Sequence, residues 1–207
     1  MISTETVSNY LERLASRAPT PGGGAAAALH AAQGAALVSM VAEFTSGPRY
    51  ADVQEQAQRI AENAKERMRS ALFAAEEDER LFGALSTAYG LPKDTEEQKA
   101  ERRDAIQHAT IEAATPLVST VNVASAVIEL ASELLLIGNR SVSSDVAAAA
   151  EAARAALGTA LVTLEMNIAA IKDETQRAQL TRATTQASQM INQAEEISSA
   201  VRSAVSV

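Results

Sequence analysis

Between Gly24 and Ala42 the chain carries no charged side chain, and 9 of the 19 residues are alanine. Side chains that small on every face let neighbouring helices approach from all sides, so the segment predicts a buried helix at the centre of a bundle or of a dimer interface. Its length would also suit a bilayer. However, alanine contributes little transfer energy, His30, Gln33 and Ser39 lie inside the run, and Glu43 follows at once. The reading is therefore a helix buried in protein, with no membrane partner.

The rest of the chain is helical by the same logic. Alanine makes up roughly a fifth of the sequence, β-branched runs are short, and helical spacing recurs between clear breakers. A first helix is expected from about Thr4 to Ser16, with Val7, Tyr10, Leu11 and Leu14 as its apolar positions, ended by Pro19 and Pro21. The alanine helix reaches about Phe44, before Gly47-Pro48. A third helix follows Arg49-Tyr50 and runs to Tyr89-Gly90. A fourth runs from Thr95 to Gly138 with a kink expected at Pro116. Ser143 and Ser144 offer N-caps for a fifth helix from about Asp145 to Asp173. A polar sixth, from Thr175 to Ala204, reads as peripheral or partner-contacting. The fold class is all-α: an antiparallel bundle of five or six long helices in one domain spanning residues 1–207, expected to dimerise.

Charge and composition exclude several functions. With 18 Lys and Arg against 26 Asp and Glu, net −8, the chain lacks the basic footprint of a nucleic-acid binder. It has no cysteine, so thiolate chemistry and cysteine-ligated metals are ruled out. His30 and His108 read as packing or surface residues, and no metal site is expected. The first residues carry no basic, apolar signal pattern, and the expected location is cytoplasmic.

At Pro19-Thr20-Pro21-Gly22-Gly23-Gly24 two prolines and three glycines abut the strongest helix former in the chain. Free first-turn amides without side-chain obstruction could receive an anionic ligand, or the glycines could simply permit close helix packing. Asp145 sits where an acid complements a helix dipole, and it is also a candidate proton-transfer group. Glu76-Glu77-Asp78-Glu79 reads mostly as a solvated face, with Asp78 or a neighbour able to turn inward beside Phe82.

In order, these features resemble the all-helical cyclohydrolases and cyclodeaminases of folate metabolism. The resemblance runs through the glycine entrance, Gly34 to Val41, Gly47 to Tyr50, Asp78 with Phe82, Tyr89 to Lys93, Ala114 to Leu117, Gly138-Asn139, Ser144-Asp145 and Asn167. By length the chain is more similar to the stand-alone methenyltetrahydrofolate cyclohydrolases than to the two-domain cyclodeaminases. It departs from the family pattern at Glu43, at Pro48-Arg49 and at Thr163, which bears on the substrate.

The resemblance implies hydrolysis of 5,10-methenyltetrahydrofolate to 10-formyltetrahydrofolate, with no cofactor beyond the folate substrate, in a homodimer. It implies Asp145 as the catalytic carboxylate, and Pro21, Gly22, Gly23, Gly24, Arg49, Asp78, Lys93, Asn139, Ser144 and Asn167 as substrate-binding residues. A ligand pocket is expected where the glycine entrance approaches the loop around Asn139 and Asp145. The alternatives are cyclodeamination of a formimino-folate, a same-fold enzyme acting on a non-folate imine or amidine, and a helical interaction module without activity.

Overall fold

A computed structural model describes residues 1–205. The described residues form six α-helices and no strand: α1 (Val7–Leu14), α2 (Gly23–Phe44), α3 (Gln54–Tyr89), α4 (Glu96–Ile137), α5 (Ser143–Ala170) and α6 (Glu174–Val205). Short 3-10 turns precede α1, α3 and α5.

Helix α2 is the centre. Its alanines pack against α3, α4 and α5, while α6 lies outside against α4 and α5. The largest side chains sealed in this core are Ile60, Leu117, Ile128, Leu134, Leu157 and Leu164. A Cβ on Gly34 would lie 3.0 Å from the Ala149 carbonyl oxygen and 3.2 Å from Val127, so the missing side chain sets how closely α2 and α5 approach. By length and composition α4 and α5 are, like α2, apolar enough to cross a membrane; here their apolar residues pack against one another.

Several boundaries differ from the sequence expectation, each for a local reason. Helix α1 starts late because Thr6 caps it, accepting from the Asn9 amide at 3.2 Å, while Ile2–Thr4 form a separate 3-10 turn. Pro116 does not divide α4. Proline removes the donor for the Glu112 carbonyl, and the Thr115 hydroxyl replaces it at 2.8 Å. Neither Ser143 nor Ser144 caps α5; both lie in its first turn after Val142, and Asn139 instead caps the preceding 3-10 turn through the Ser141 amide. Helix α5 stops at Ala170, and Asp173 begins α6 by accepting from the Gln176 amide at 2.9 Å. Gln107 of α4 holds that break, donating to the Ala170 carbonyl and accepting from the Lys172 amide, each at 2.9 Å.

The alternation of long helices decides where each loop lies. Gly23 at the start of α2 faces Thr159 of α5, Gly34 faces Ala149 and Ala153, and Asn139 meets the end of α2 at Phe44 and Thr45. One stripe of α2 escapes the bundle. Gln33 and Phe44 are exposed there, and Ala26, His30, Leu37 and Met40 are half-buried.

Candidate functional site

The glycine entrance holds a buried carboxylate. The chain reaches α2 through a cis Thr20–Pro21 peptide and an extended Gly22, which has no side chain to cap the helix. Asp78 of α3 takes that place: it is 8% exposed and accepts from the Ala25 amide. A Cβ on Gly24 would lie no more than 2.8 Å from either oxygen or the carboxyl carbon of Asp78. Gly24 is therefore required by the approach of a side chain from the neighbouring helix. The small residues around Asp78 on α3, Ala71, Ala74 and Ala75, bring that helix close enough for a short acid to reach.

Asp78 is also poised for proton transfer. Burial pushes its pKa up to about 6, the Ala25 amide opposes the rise, and the adjacent Glu79 adds to it. A carboxyl titrating near neutrality can both take and return a proton.

Above it sits an N-terminal arm whose helical spacing by itself indicates only apolar packing. Tyr10 is 8% exposed, and its shielded hydroxyl has no hydrogen-bond partner. Burial first, then the charge of Glu79, raise the Tyr10 pKa. Arg13 ties the arm down, bridging Glu5 and Glu79 at 2.7 Å each, and the Ser3 hydroxyl donates to Glu76 at 2.5 Å. Between α1 and α2 lies a groove of about 360 Å³ whose walls include Val7, Tyr10, Leu11, Leu29, His30 and Gln33. The period of Tyr10 marked it as inward-facing; nothing in one sequence marked it as a neighbour of Asp78.

Within one chain the residues named by the resemblance fall into groups at opposite ends of α2. Pro21, Gly22, Gly23, Gly24 and Asp78 gather at the start of α2. Asn139 lies at the other end, its amide donating to Thr45 Oγ1 and its Nδ2 to the Phe44 carbonyl, both at 3.1 Å. Ser144 and Asp145 follow it in the first turn of α5, and Arg49 lies exposed in the 3-10 turn after α2, 5.9 Å over the Tyr50 ring. Some 33 Å of helix separates the two groups, at 1.5 Å per residue over the 22 residues of α2. Lys93 shares the glycine end but sits on an exposed loop beyond Tyr89, which is itself about 16 Å of helix past Asp78. Asn167, half-buried on α5, is about 12 Å past Thr159 in the same direction.

The three departures have local partners. Glu43 pairs with Lys65 at 2.6 Å, Pro48 opens the 3-10 turn, and Thr163 bonds back to the Thr159 carbonyl of its own helix at 3.0 Å. His30 lines the α1–α2 groove with Nδ1 shielded, and His108 is on the surface.

Comparison with known proteins places this architecture. The chain is 38% identical over 174 residues to methenyltetrahydrofolate cyclohydrolase of Methylorubrum extorquens, covering 84% of each. It is 34% identical over 173 residues to the formimidoyltransferase-cyclodeaminase of Sus scrofa, but spans only 32% of that protein's length. The crystal structure of formiminotetrahydrofolate cyclodeaminase from Thermotoga maritima superposes with a TM-score of 0.87 at 26% identity, covering 99% of this chain and 100% of that one. The family model for formiminotransferase-cyclodeaminase matches residues 6–186, from the cap of α1 into α6. With that match across nearly the whole bundle, the chain belongs to the formiminotransferase-cyclodeaminase family.

Proposed function

We propose that this protein is a folate one-carbon enzyme that hydrolyses 5,10-methenyltetrahydrofolate to 10-formyltetrahydrofolate. The observation that carries the reading is the buried Asp78 carboxyl set against Gly24 and the Ala25 amide at the entrance of α2. The 84% mutual coverage with a cyclohydrolase supports this choice over the longer bifunctional relatives.

The chemistry needs only proton movements. Water adds to the cationic methenyl carbon, and one of its protons passes to a base as the C–O bond forms. Cleavage of the C–N5 bond then leaves the formyl group on N10, N5 gains a proton, and one proton is released overall. Asp78 replaces Asp145 as the group assigned to these transfers. Its carboxylate takes the proton from water, and the resulting acid returns one to N5. With Asp78 on the Ala25 amide, the remaining first-turn amides of α2 at Gly23 and Gly24 can donate to a carbonyl oxygen of the ligand.

Cyclodeamination of a formimino-folate is the second reading, favoured by the superposition on the Thermotoga maritima enzyme across both full chains. The same carboxyl would then protonate departing ammonia. Adding purified protein to methenyltetrahydrofolate, at a pH where spontaneous opening is slow, should abolish the methenyl chromophore at a rate proportional to protein concentration. An unchanged chromophore with ammonia released from formimino-folate selects the second reading instead.

A further inference from the structure

Of the six aromatic side chains only Tyr10 is buried, and burying a tyrosine brings a hydroxyl into the interior with the ring. Nothing among the described residues bonds to that hydroxyl. A buried polar group left so costs the fold stability that a phenylalanine would spare, and such groups persist where a ligand or a reaction engages them. The surroundings name the engagement. Tyr10 shares a packed cluster with Ala25 and Ala28 of α2 and with Ala74 and Ala75 of α3. Ala25 is the residue whose amide donates to the Asp78 carboxyl, and Ala74 and Ala75 lie four and three residues before Asp78, on the same face of α3. Helical side chains lean towards the N-terminus of their helix, so the Asp78 carboxyl overlies the turn on which the Tyr10 ring rests.

Two clasps fix the phenol in that position. Ser3 donates to Glu76 through both its amide and its hydroxyl, and Arg13, one turn after Tyr10 on the same face of α1, reaches Glu79 at 2.7 Å. Glu76 and Glu79 flank Asp78 along α3, so the arm is fastened on both sides of the carboxyl it covers. The protonation state is fixed as well. Burial first and then the Glu79 charge keep the phenol protonated, with Asp78 and Glu5 adding to the effect and Arg13 opposing it. At neutral pH Tyr10 is therefore an uncharged hydroxyl, able to give one hydrogen bond and receive others, beside a carboxyl that exchanges protons.

We propose that the Tyr10 hydroxyl holds the oxygen atom that enters the reaction as water and leaves it as the formyl oxygen, a second catalytic residue beside Asp78. The role rests on the cyclohydrolase reading, since cyclodeamination consumes no water. An attacking water that gives one proton to a carboxylate needs its other O–H held, so that a lone pair faces the methenyl carbon. Tyr10 accepts from that second O–H while the Asp78 carboxylate takes the first proton and the C–O bond forms. Asp78 then returns its proton to N5 as the C–N5 bond breaks. The second proton of the water passes to the emptied Asp78 carboxylate, and from there to solvent, as the C=O bond forms. The phenol turns its own O–H towards the new carbonyl oxygen. One water is consumed, N5 gains one proton and solvent gains the other.

Tyr10→Phe tests this, because it keeps the ring, its packing and both clasps and removes one oxygen. Opening of methenyltetrahydrofolate should slow roughly 30-fold in kcat, the scale of one hydrogen bond lost at a buried reacting centre, with KM within about threefold of wild type. The pH midpoint of kcat should stay where the unmodified protein has it, and the variant should unfold at no lower urea concentration. Wild-type turnover in Tyr10→Phe overturns the proposal. So does a slow variant whose pH midpoint drops towards that of an ordinary exposed carboxylate, or whose urea midpoint falls, because a hydroxyl that merely fastened the arm would admit water to Asp78 when lost. Unmodified protein that leaves the methenyl chromophore intact refutes the cyclohydrolase reading and this role with it, whereas a failure confined to Tyr10→Phe leaves that reading standing.

Discussion

Asp78→Asn should inactivate the enzyme and make it more stable. Replacing the carboxyl by its isostere removes the transferable proton, so kcat should fall roughly 100-fold or more. The stability change has the opposite sign. The folded pKa of Asp78 is raised to about 6 from an ordinary 3.8. The native state therefore binds the extra proton more tightly than the unfolded chain, and stability is lost as pH rises from the unfolded value through the folded one. A rise of about two units corresponds to about 3 kcal/mol, all of it lost above pH 6 or so. The uncharged amide avoids that loss while keeping an oxygen for the Ala25 amide. Urea unfolding should show the variant ahead by about 2–3 kcal/mol at pH 8 and level with wild type near pH 4. A variant no more stable than wild type at pH 8 would mean that Asp78 is not charged in a buried position.

Gly24→Ala should reproduce the catalytic defect without touching an ionisable group. The new Cβ overlaps the Asp78 carboxyl, which must rotate away from the Ala25 amide, leaving that first-turn donor without its acceptor. The lost charge-assisted bond predicts a destabilisation of about 1–3 kcal/mol. Turnover should fall as far as it does in Asp78→Asn, since a misplaced carboxyl cannot reach the same proton. The double variant is the informative one. If both changes act through one group, Gly24→Ala in the Asp78→Asn background should cost little further activity. Multiplying defects would separate the two residues into independent roles.

The six helices were legible because the breakers are strong and the apolar periods long. Errors were confined to ends that side chains decide: Thr6 rather than Thr4 as the start of α1, Asp173 as the start of α6 rather than the end of α5, and two serines that lie inside α5. Asp78 could be placed on α3 but not oriented, because four consecutive carboxylates point around a helix and only the packing of α3 on α2 selects one of them. Tyr10 suffered the reverse fate, since helical period explained it too well to suggest a polar role.

The ends at which the loops lie follow from the alternation of the helices. In an antiparallel bundle the loops after α2 and after α4 lie at one end, and the entrance to α2 lies at the other. That parity alone assigns Arg49, Asn139, Ser144 and Asp145 to the end opposite Gly22, Gly23 and Gly24. A resemblance groups these residues as a set, and the helix order then sorts them between the two ends of the bundle.

The pH dependence of kcat tests the central assignment most directly. Between about pH 5 and pH 7.5, saturating methenyltetrahydrofolate should be opened at a rate that climbs as one carboxyl ionises, with a midpoint near the Asp78 value of about 6, and then levels. The residual turnover of Asp78→Asn should lack that limb altogether. A limb of the same midpoint surviving in Asp78→Asn would place the proton-transfer group elsewhere and contradict the account.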